Sequence, residues 1–235
     1  GVMHLCERQG STFISDGYVH PALRGRGVGA ALLDLVEARA WERIGEAPTG
    51  ERVTLHNAHL TGDTAAPALL AARGFTRVRT FFRMVANLGA DDPAPSWPDG
   101  IALRPLDVEA HGRQLHAADE AAFAQEWGYE PRPYDAWAKH VFGRPQFDPS
   151  LFVVAWDGDE IAGFSLNYAK RRGDWGWIGV LGVQPAWRRR GLGLALLRES
   201  FRRFRDTGET VAALGVDTEN PTDATRLYQR AGMRV

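Results

Sequence analysis

One pattern is written twice in this chain, and it limits the fold more than any other feature. Val19-His20-Pro21-Ala22-Leu23-Arg24-Gly25-Arg26-Gly27-Val28-Gly29-Ala30 returns as Val183-Gln184-Pro185-Ala186-Trp187-Arg188-Arg189-Arg190-Gly191-Leu192-Gly193-Leu194, offset by 164 positions from Arg24 to Arg188. Each copy closes an apolar segment, Leu181-Gly182-Val183 in the second, and places Pro two residues beyond the Val, where sheet pairing must stop. Helical spacing follows: Leu192, Leu196, Leu197, Phe201 and Phe204 in one copy, Val28, Leu32, Leu33 and Val36 in the other. Ala72-Arg73-Gly74-Phe75 and Arg230-Ala231-Gly232-Met233 echo each other at an offset of 158 from Gly74 to Gly232. Two copies in near-constant register are the mark of a tandem duplication.

A strand, a turn and a helix start in so few residues put the turn at a helix N-terminus. Gly191 and Gly193 have no Cβ, so the backbone can adopt unusual φ and an anion can approach closely. The unpaired N–H groups of the first helical turn and the positive end of the helix dipole attract that anion. The natural ligand is a phosphate. A nucleoside-triphosphate loop would need Lys-Ser/Thr after the last Gly, and the spacing is not that of the dinucleotide fingerprint.

The spacing resembles the acetyl-CoA loop of the GNAT N-acetyltransferase superfamily, Gln/Arg-x-x-Gly-x-Gly/Ala. Arg188, Gly191 and Gly193 match it in the second copy, and Arg24, Gly27 and Gly29 in the first. The resemblance implies an α/β fold with a mixed sheet, two tandem GNAT domains, acetyl-CoA as acyl donor and a primary amine as acceptor. It also implies which residues meet the cofactor. Loop amides from Arg188, Arg189, Arg190, Gly191, Leu192, Gly193 and Leu194 would hold the pyrophosphate, with Arg188 and Arg190 adding charge. Leu181 and Val183 would pair with the pantetheine arm, and Asn220 would flank it. In the first copy the matching set is Val19, Arg24, Gly25, Arg26, Gly27, Val28, Gly29 and Ala30.

Charge narrows the partners. Lys+Arg number 28 against Asp+Glu 29, a formal net charge of −1, so no global basic field draws nucleic acid. Arg188, Arg189, Arg190, Arg198, Arg202, Arg203 and Arg205 are then a local cluster, partly solvent-facing on a helix and partly suited to CoA phosphates. Cys6, the single cysteine, cannot form an internal disulfide, which fits a reducing cytoplasm. No apolar run is long enough to span a bilayer and no signal peptide is evident. Lysine occurs at Lys139 and Lys170 alone, a bias that suggests a GC-rich bacterial genome.

Taken in order, Gly1 to Glu7 and Ser11 to His20 read as a hairpin around Arg8-Gln9-Gly10. The family's preceding strand and two helices are missing, so the sequence reads as beginning inside a domain. A helix over Val28 to Glu46 ends near Pro48-Thr49-Gly50. Arg52 to Asn57 is a strand, Ala65 to Arg73 a helix and Phe75 to Val85 a strand. This is the back half of one domain, 1–87. A linker rich in Pro, Asp and Gly spans 88–100. The second domain, 101–235, starts with strand Ile101 to Arg104 and a helix from Asp107, its cap, to Phe123. A helix over Tyr134 to Val141, a hairpin of Leu151 to Trp156 and Ile161 to Tyr168, and the strand Trp177 to Val183 lead to the second loop. Strand Val211 to Val216 and helix Asn220 to Ala231 follow, before the family's last strand would form.

Acetyl transfer to an amine needs a base for the ammonium and an acid for the leaving thiolate. The family pattern Asn-x2-3-Ala-x-x-Leu-Tyr-x-x-x-Gly-Phe appears as Asn220, Ala224, Leu227, Tyr228, Gly232 and Met233, which makes Tyr228 the candidate acid. In the first copy Leu70 stands at the Tyr position and Asp63 at the Asn position. Leucine donates no proton, so the first domain is expected to keep its loop without catalysis. Tandem members of the family carry a Glu on the strand before the second loop as a proposed base; the matching position here is Trp177. Asp217 and Glu219 are candidate bases, as are Glu126 and Glu130. The missing carboxylate at Trp177 gives a rival reading, a non-catalytic acyl-CoA sensor. His56-x-x-His59 offers two metal ligands without a third, and reads as a polar loop. Trp127, Tyr129, Tyr134, Trp137, Trp175 and Trp177 are read first as core packing, with an aromatic acceptor pocket as the second reading.

Overall fold

The computed structural model describes residues 1–7, 11–47, 49–90, 92–172, 175–220 and 222–235. The expected turn at Arg8-Gln9-Gly10, together with Pro48 and Asp91, lies outside the described residues. The chain forms two compact units, Gly1–Val78 and Arg79–Val235.

In the first unit, β1 (Val2–Glu7) pairs antiparallel with β2 (Thr12–Tyr18), and β2 pairs parallel with β3 (Thr54–Asn57). Helix α1 (Val28–Arg43) follows the first loop and buries Leu33 and Val36, two of the four positions spaced for one face. Its end continues as a 3-10 turn at Ile44–Glu46. Helix α2 (Ala65–Ala72) buries Leu70. Asp63 caps this helix: its Oδ1 accepts from the N–H groups of Ala65 and Ala66, each at 3.0 Å. Those two bonds hold the Asp63 carboxyl below its usual range.

The second unit has a six-stranded sheet in the order β4-β9-β8-β7-β6-β5. Its strands are β4 (Phe81–Asn87), β5 (Ile101–Leu103), β6 (Val153–Asp157), β7 (Glu160–Arg172), β8 (Trp175–Val183) and β9 (Val211–Asp217). Its helices are α3 (Val108–Phe123), α4 (Tyr134–Phe142), α5 (Leu192–Asp206) and α6 (Ala224–Arg230). Asp107 caps α3, accepting from Glu109 and Ala110 N–H at 3.0 Å each.

One strand differs from the sequence reading. Residues 81–87, placed by sequence at the end of the first half, pair antiparallel with β9 from Phe81↔Asp217 to Asn87↔Val211. Met84 and Ala86 are thereby buried in the second unit's core beside Leu214 and Phe204. Burial of these alternate side chains, rather than chain proximity, decides where the strand belongs.

Because the sheet is covered on both faces, successive residues of β6 are buried on opposite sides. Val154 and Trp156 pack with Leu115 and Trp137 of α3 and α4, while Val153 and Ala155 pack with Leu192 and Leu196 of α5. The apolar positions of α5 read from spacing, Leu192, Leu196, Leu197, Phe201 and Phe204, are all buried. Beneath α5, Asn167 donates to Leu151 O at 2.8 Å and to Ser200 Oγ at 3.0 Å, and accepts from Ser165 Oγ at 2.8 Å, so these buried polar groups are satisfied. Among the described residues no helix is long and apolar enough to cross a membrane.

Candidate active site

The second loop is built as the sequence suggests. After Val183 the chain makes a 3-10 turn at Pro185–Trp187, and Gly191 caps α5 with a left-handed backbone, φ 86°. An ordinary side chain is strained at that φ. Three side chains fix the loop. Gln184 Nε2 donates to Ile161 O, Trp187 Nε1 to Asp157 Oδ2 at 2.8 Å, and Arg188 to Val183 O at 3.1 Å and Ala122 O at 2.9 Å. Among the described residues no acceptor meets the N–H groups of residues 189 to 193; the first amides to find one are those of Leu194 and Ala195, both bonding Gly191 O at 3.1 Å. Arg189 and Arg190 are exposed beside this row of amides. Such a row of amides, with two cations beside it, is suited to receive an anion.

The guanidinium of Arg188 is thus spent on main-chain oxygens rather than turned to these amides. Three of the four arginines on α5 are also engaged: Arg202 and Arg203 with Glu199 at 2.7 and 2.9 Å, and Arg205 with Asp92 at 2.8 Å. These ties account for those three arginines without a ligand.

Next to the loop the sheet opens. Pairing of β8 with β9 runs from Trp175↔Val211 to Trp177↔Ala213 and stops there, although both strands continue. A slip of register against β7, between Leu166↔Val180 and Asn167↔Ile178, leaves Gly179 as an extra residue on β8. Such a bulge bends the strand, and here it coincides with the start of the divergence. Gln184 N–H donates to Ala162 O at 3.0 Å, which makes Gly163 and Val183 a non-hydrogen-bonded pair across β7 and β8. Val183 and, two residues earlier, Leu181 therefore turn their backbone N–H and C=O groups into the wedge between β8 and β9.

Tyr228 of α6 packs in the core beside this wedge, with Ile178, Leu214 and Met84, and is 7% exposed. Its hydroxyl meets no hydrogen-bond partner among the described residues. Burial, and behind it the charge of Glu126, pushes the phenol up to about 12. Glu126, in the segment after α3, receives Asn220 Nδ2 on both carboxylate oxygens, at 3.1 and 3.2 Å. Burial holds the Glu126 carboxyl above its usual range; Asp217 adds to the shift, while Asn220 and Arg188 oppose it.

The structure therefore brings Tyr228, Asn220 and Glu126 together. Asp217 and Glu219 are engaged elsewhere: Arg79 lies 3.5 Å from Asp217 Oδ2 through Nε and donates to Glu219 Oε2 through Nη1. Arg79 also stacks over the Trp127 ring at 5.1 Å. Sequence reasoning missed Arg79, since the pairing Phe81↔Asp217 that carries it there leaves no local signal. No hydrogen bond or ion pair joins Glu130 to this group among the described residues. Of the aromatic cluster, Trp137 and Trp177 line a cavity under β7 and β8, whereas Tyr129 donates to Glu120 and Tyr134 packs 6.2 Å from Trp137. His59 Nδ1 lies 3.1 Å from Leu60 O, and no group of three metal-ligating side chains occurs among the described residues.

Comparison with known proteins agrees with the geometry. A family model described as the acetyltransferase (GNAT) family matches residues 1–75 and 113–233. A mycothiol acetyltransferase of Thermobispora bispora is 34% identical over an alignment of 225 positions that covers 91% of this chain and 70% of that protein. A GCN5-related N-acetyltransferase from Sphaerobacter thermophilus is 34% identical and superposes with a TM-score of 0.86 over 99% of this chain and 72% of its own. A tandem GNAT protein from the clavulanic acid biosynthesis pathway shares the fold, with a TM-score of 0.73 over 99% of this chain and 74% of its own at 17% identity.

Proposed function

The chain belongs to the GNAT acetyltransferase family and so is an acetyl-CoA-dependent N-acetyltransferase, and we propose that its second unit carries the reaction, direct transfer to a primary amine, while the first unit keeps an anion loop without catalysis. The observation that supports this most is the open wedge between β8 and β9, flanked at one end by unpaired loop amides and lined by Tyr228.

In this reading the amides of residues 189 to 193 receive the CoA pyrophosphate, Arg189 and Arg190 add charge at the rim, and Leu181 and Val183 pair with the pantetheine amides. The acceptor ammonium first loses a proton to a base. Its nitrogen then bonds to the acetyl carbon, the C–S bond breaks, and CoA leaves as a thiolate that acquires a proton. Tyr228 suits the leaving sulfur. A phenol near 12 stays protonated at neutral pH and can donate a hydrogen bond to the thiolate. Full transfer to a thiol of pKa near ~8.5 would be uphill by about 5 kcal/mol, so Tyr228 acts chiefly through that hydrogen bond.

Glu126 is the best-placed base of the four considered. Its raised carboxyl is closer to the operating range of a general base than an ordinary one, and it belongs to the Tyr228 cluster. Asp217 and Glu219 are held by Arg79. Trp177 occupies the position where the family resemblance places a proposed carboxylate base, and this favours a base from another segment.

Turnover with a panel of primary amines, including an amine of the mycothiol type named by the relatives, tests the reading. Tyr228→Phe is expected to lower kcat about 10- to 100-fold, the cost of one hydrogen bond to a charged group, while KM for acetyl-CoA holds. An unchanged kcat would remove Tyr228 from the mechanism, and absence of turnover with tight acetyl-CoA binding would favour a sensor.

A further inference from the structure

Between α3, α4 and the sheet of the second unit lies a cavity of about 280 Å³, near the lower end of sites that enclose small ligands. Its walls include Trp137, Tyr168 and Trp177, and its charged groups are Asp119, Arg132 and Arg144. Trp177 is also the last β8 residue paired with β9, so one wall of the cavity is the apex of the wedge.

The charge balance of this cavity is uneven. Two guanidinium groups face one carboxylate, and that carboxylate, Asp119, is 7% exposed and already accepts Trp137 Nε1 at 2.6 Å. Burial raises the Asp119 carboxyl above its usual range, against the Trp137 bond and the Arg132 charge. Among the described residues neither Arg132 nor Arg144 forms an ion pair with a carboxylate. Arg144 is nonetheless held in place: its Nε donates to His140 O at 2.8 Å and its guanidinium stacks 4.7 Å from the Tyr168 ring centroid. Arg132 is fixed through its main chain, with its carbonyl 2.8 Å from His116 Nε2. One Arg144 nitrogen, Nη2, lies 2.5 Å from His140 Nε2; the remaining donors of the held Arg144 fork, with the Arg132 guanidinium lining the same cavity, over an aromatic wall suit a planar anion joined to an apolar body.

Resting on the transferase reading, we propose that this cavity seats the acceptor and selects a primary amine that also carries a carboxylate, as an α-amino acid does, with the carboxylate bound between Arg132 and Arg144 and the aromatic body against Tyr168 and Trp177. The amine then lies toward the wedge, where the thioester would be.

The test compares kcat/KM of the full chain, with acetyl-CoA, for tyrosine against tyramine and for O-phosphoethanolamine against ethanolamine. Binding of the same amines in the presence of CoA is followed by intrinsic tryptophan fluorescence, two of the eight tryptophans, Trp137 and Trp177, lining the cavity. Tyrosine is expected to exceed tyramine by about tenfold or more, as one charge-assisted pair would give. Arg144→Gln and, independently, Arg132→Gln should collapse that ratio by raising KM for tyrosine, with acetyl-CoA affinity by calorimetry confirming a folded cleft. A tyramine rate equal to or above that of tyrosine, failure of tyrosine to bind, or a ratio unmoved by both variants would overturn the proposal. A preference for O-phosphoethanolamine over tyrosine would overturn the assignment to a carboxylate. Failure of acetyl-CoA itself to bind would instead sink the transferase reading on which the proposal rests.

Discussion

Gly27 and Gly191 cap their helices with nearly the same left-handed backbone, φ 78° and 86°, each after a 3-10 turn that begins at Pro. A Cβ on Gly29 would come 3.2 Å from Leu69, and one on Gly193 3.1 Å from Leu227, so the helix that follows each loop packs equally close to its neighbour. Beneath the loops the two units part. In the second, β8 leaves β9 after Trp177↔Ala213. In the first, the corresponding strands stay paired two residues longer, through Ser15↔Asn57. Asn57 Nδ2 laces them together, donating to Ser15 O at 3.3 Å and Ser15 Oγ at 2.9 Å, and Ser15 Oγ donates to His56 O at 3.2 Å. Leu70 fills the place of Tyr228, and both are buried, at 8% and 7% exposure. Arg24 is exposed where Arg188 is braced on Val183 O and Ala122 O. The two units thus share the loop backbone and its packing, and differ in the wedge and in the two or three side chains that the proposed chemistry uses.

Substitutions at matched positions sharpen that contrast. The largest side-chain effect is expected at Glu126. Removing a general base typically costs about 10²–10⁴-fold in rate, so Glu126→Gln should lower kcat within that range and change the pH profile. The sign follows from the raised carboxyl: the base acts when deprotonated, so the wild-type rate falls as pH drops through a value above the ordinary Glu range. The variant should lose this acid limb. A retained limb would assign the base elsewhere. Arg188→Ala strands two main-chain oxygens and should destabilise the second unit by about 2 kcal/mol in denaturant unfolding, while Arg24→Ala changes stability by less than about 0.5 kcal/mol. Equal effects would mean that the brace does not distinguish the units. Asn57→Ala removes the lacing of the first unit and should cost about 1 kcal/mol with no change in kcat.

Much of this was legible in the sequence, because the features concerned are local. The doubled loop, the apolar face of α5 and the cap at Asp107 all depend on residues within a few positions of one another. The divergence of β8 from β9 was not legible, since a bulge at Gly179 is a matter of register against β7. Long-range pairing hid the rest. The contact of Glu126 with Asn220 spans 94 positions and that of Arg79 with Glu219 spans 140, so neither leaves a periodic trace. The strand at 81–87 was legible as a strand, but its partner was set by which core buries Met84 and Ala86. Arg188 matched its motif by type, yet its guanidinium braces the fold, a role that spacing alone does not separate from phosphate binding.

The most direct test is the rate of acetyl transfer in Gly191→Asp beside Gly27→Asp. No heavy atom outside the adjoining residues lies within 4 Å of a Cβ at either position, and Asp tolerates left-handed backbone better than most residues, so both variants should fold. Each puts a carboxylate where a phosphate would sit. Losing two charge-assisted amide contacts costs about 3–6 kcal/mol, so Gly191→Asp should lower kcat/KM for acetyl-CoA by roughly 10²–10⁴-fold. Gly27→Asp should leave it unchanged. Loss of transfer in Gly27→Asp with retention in Gly191→Asp would contradict the assignment of catalysis to the second unit.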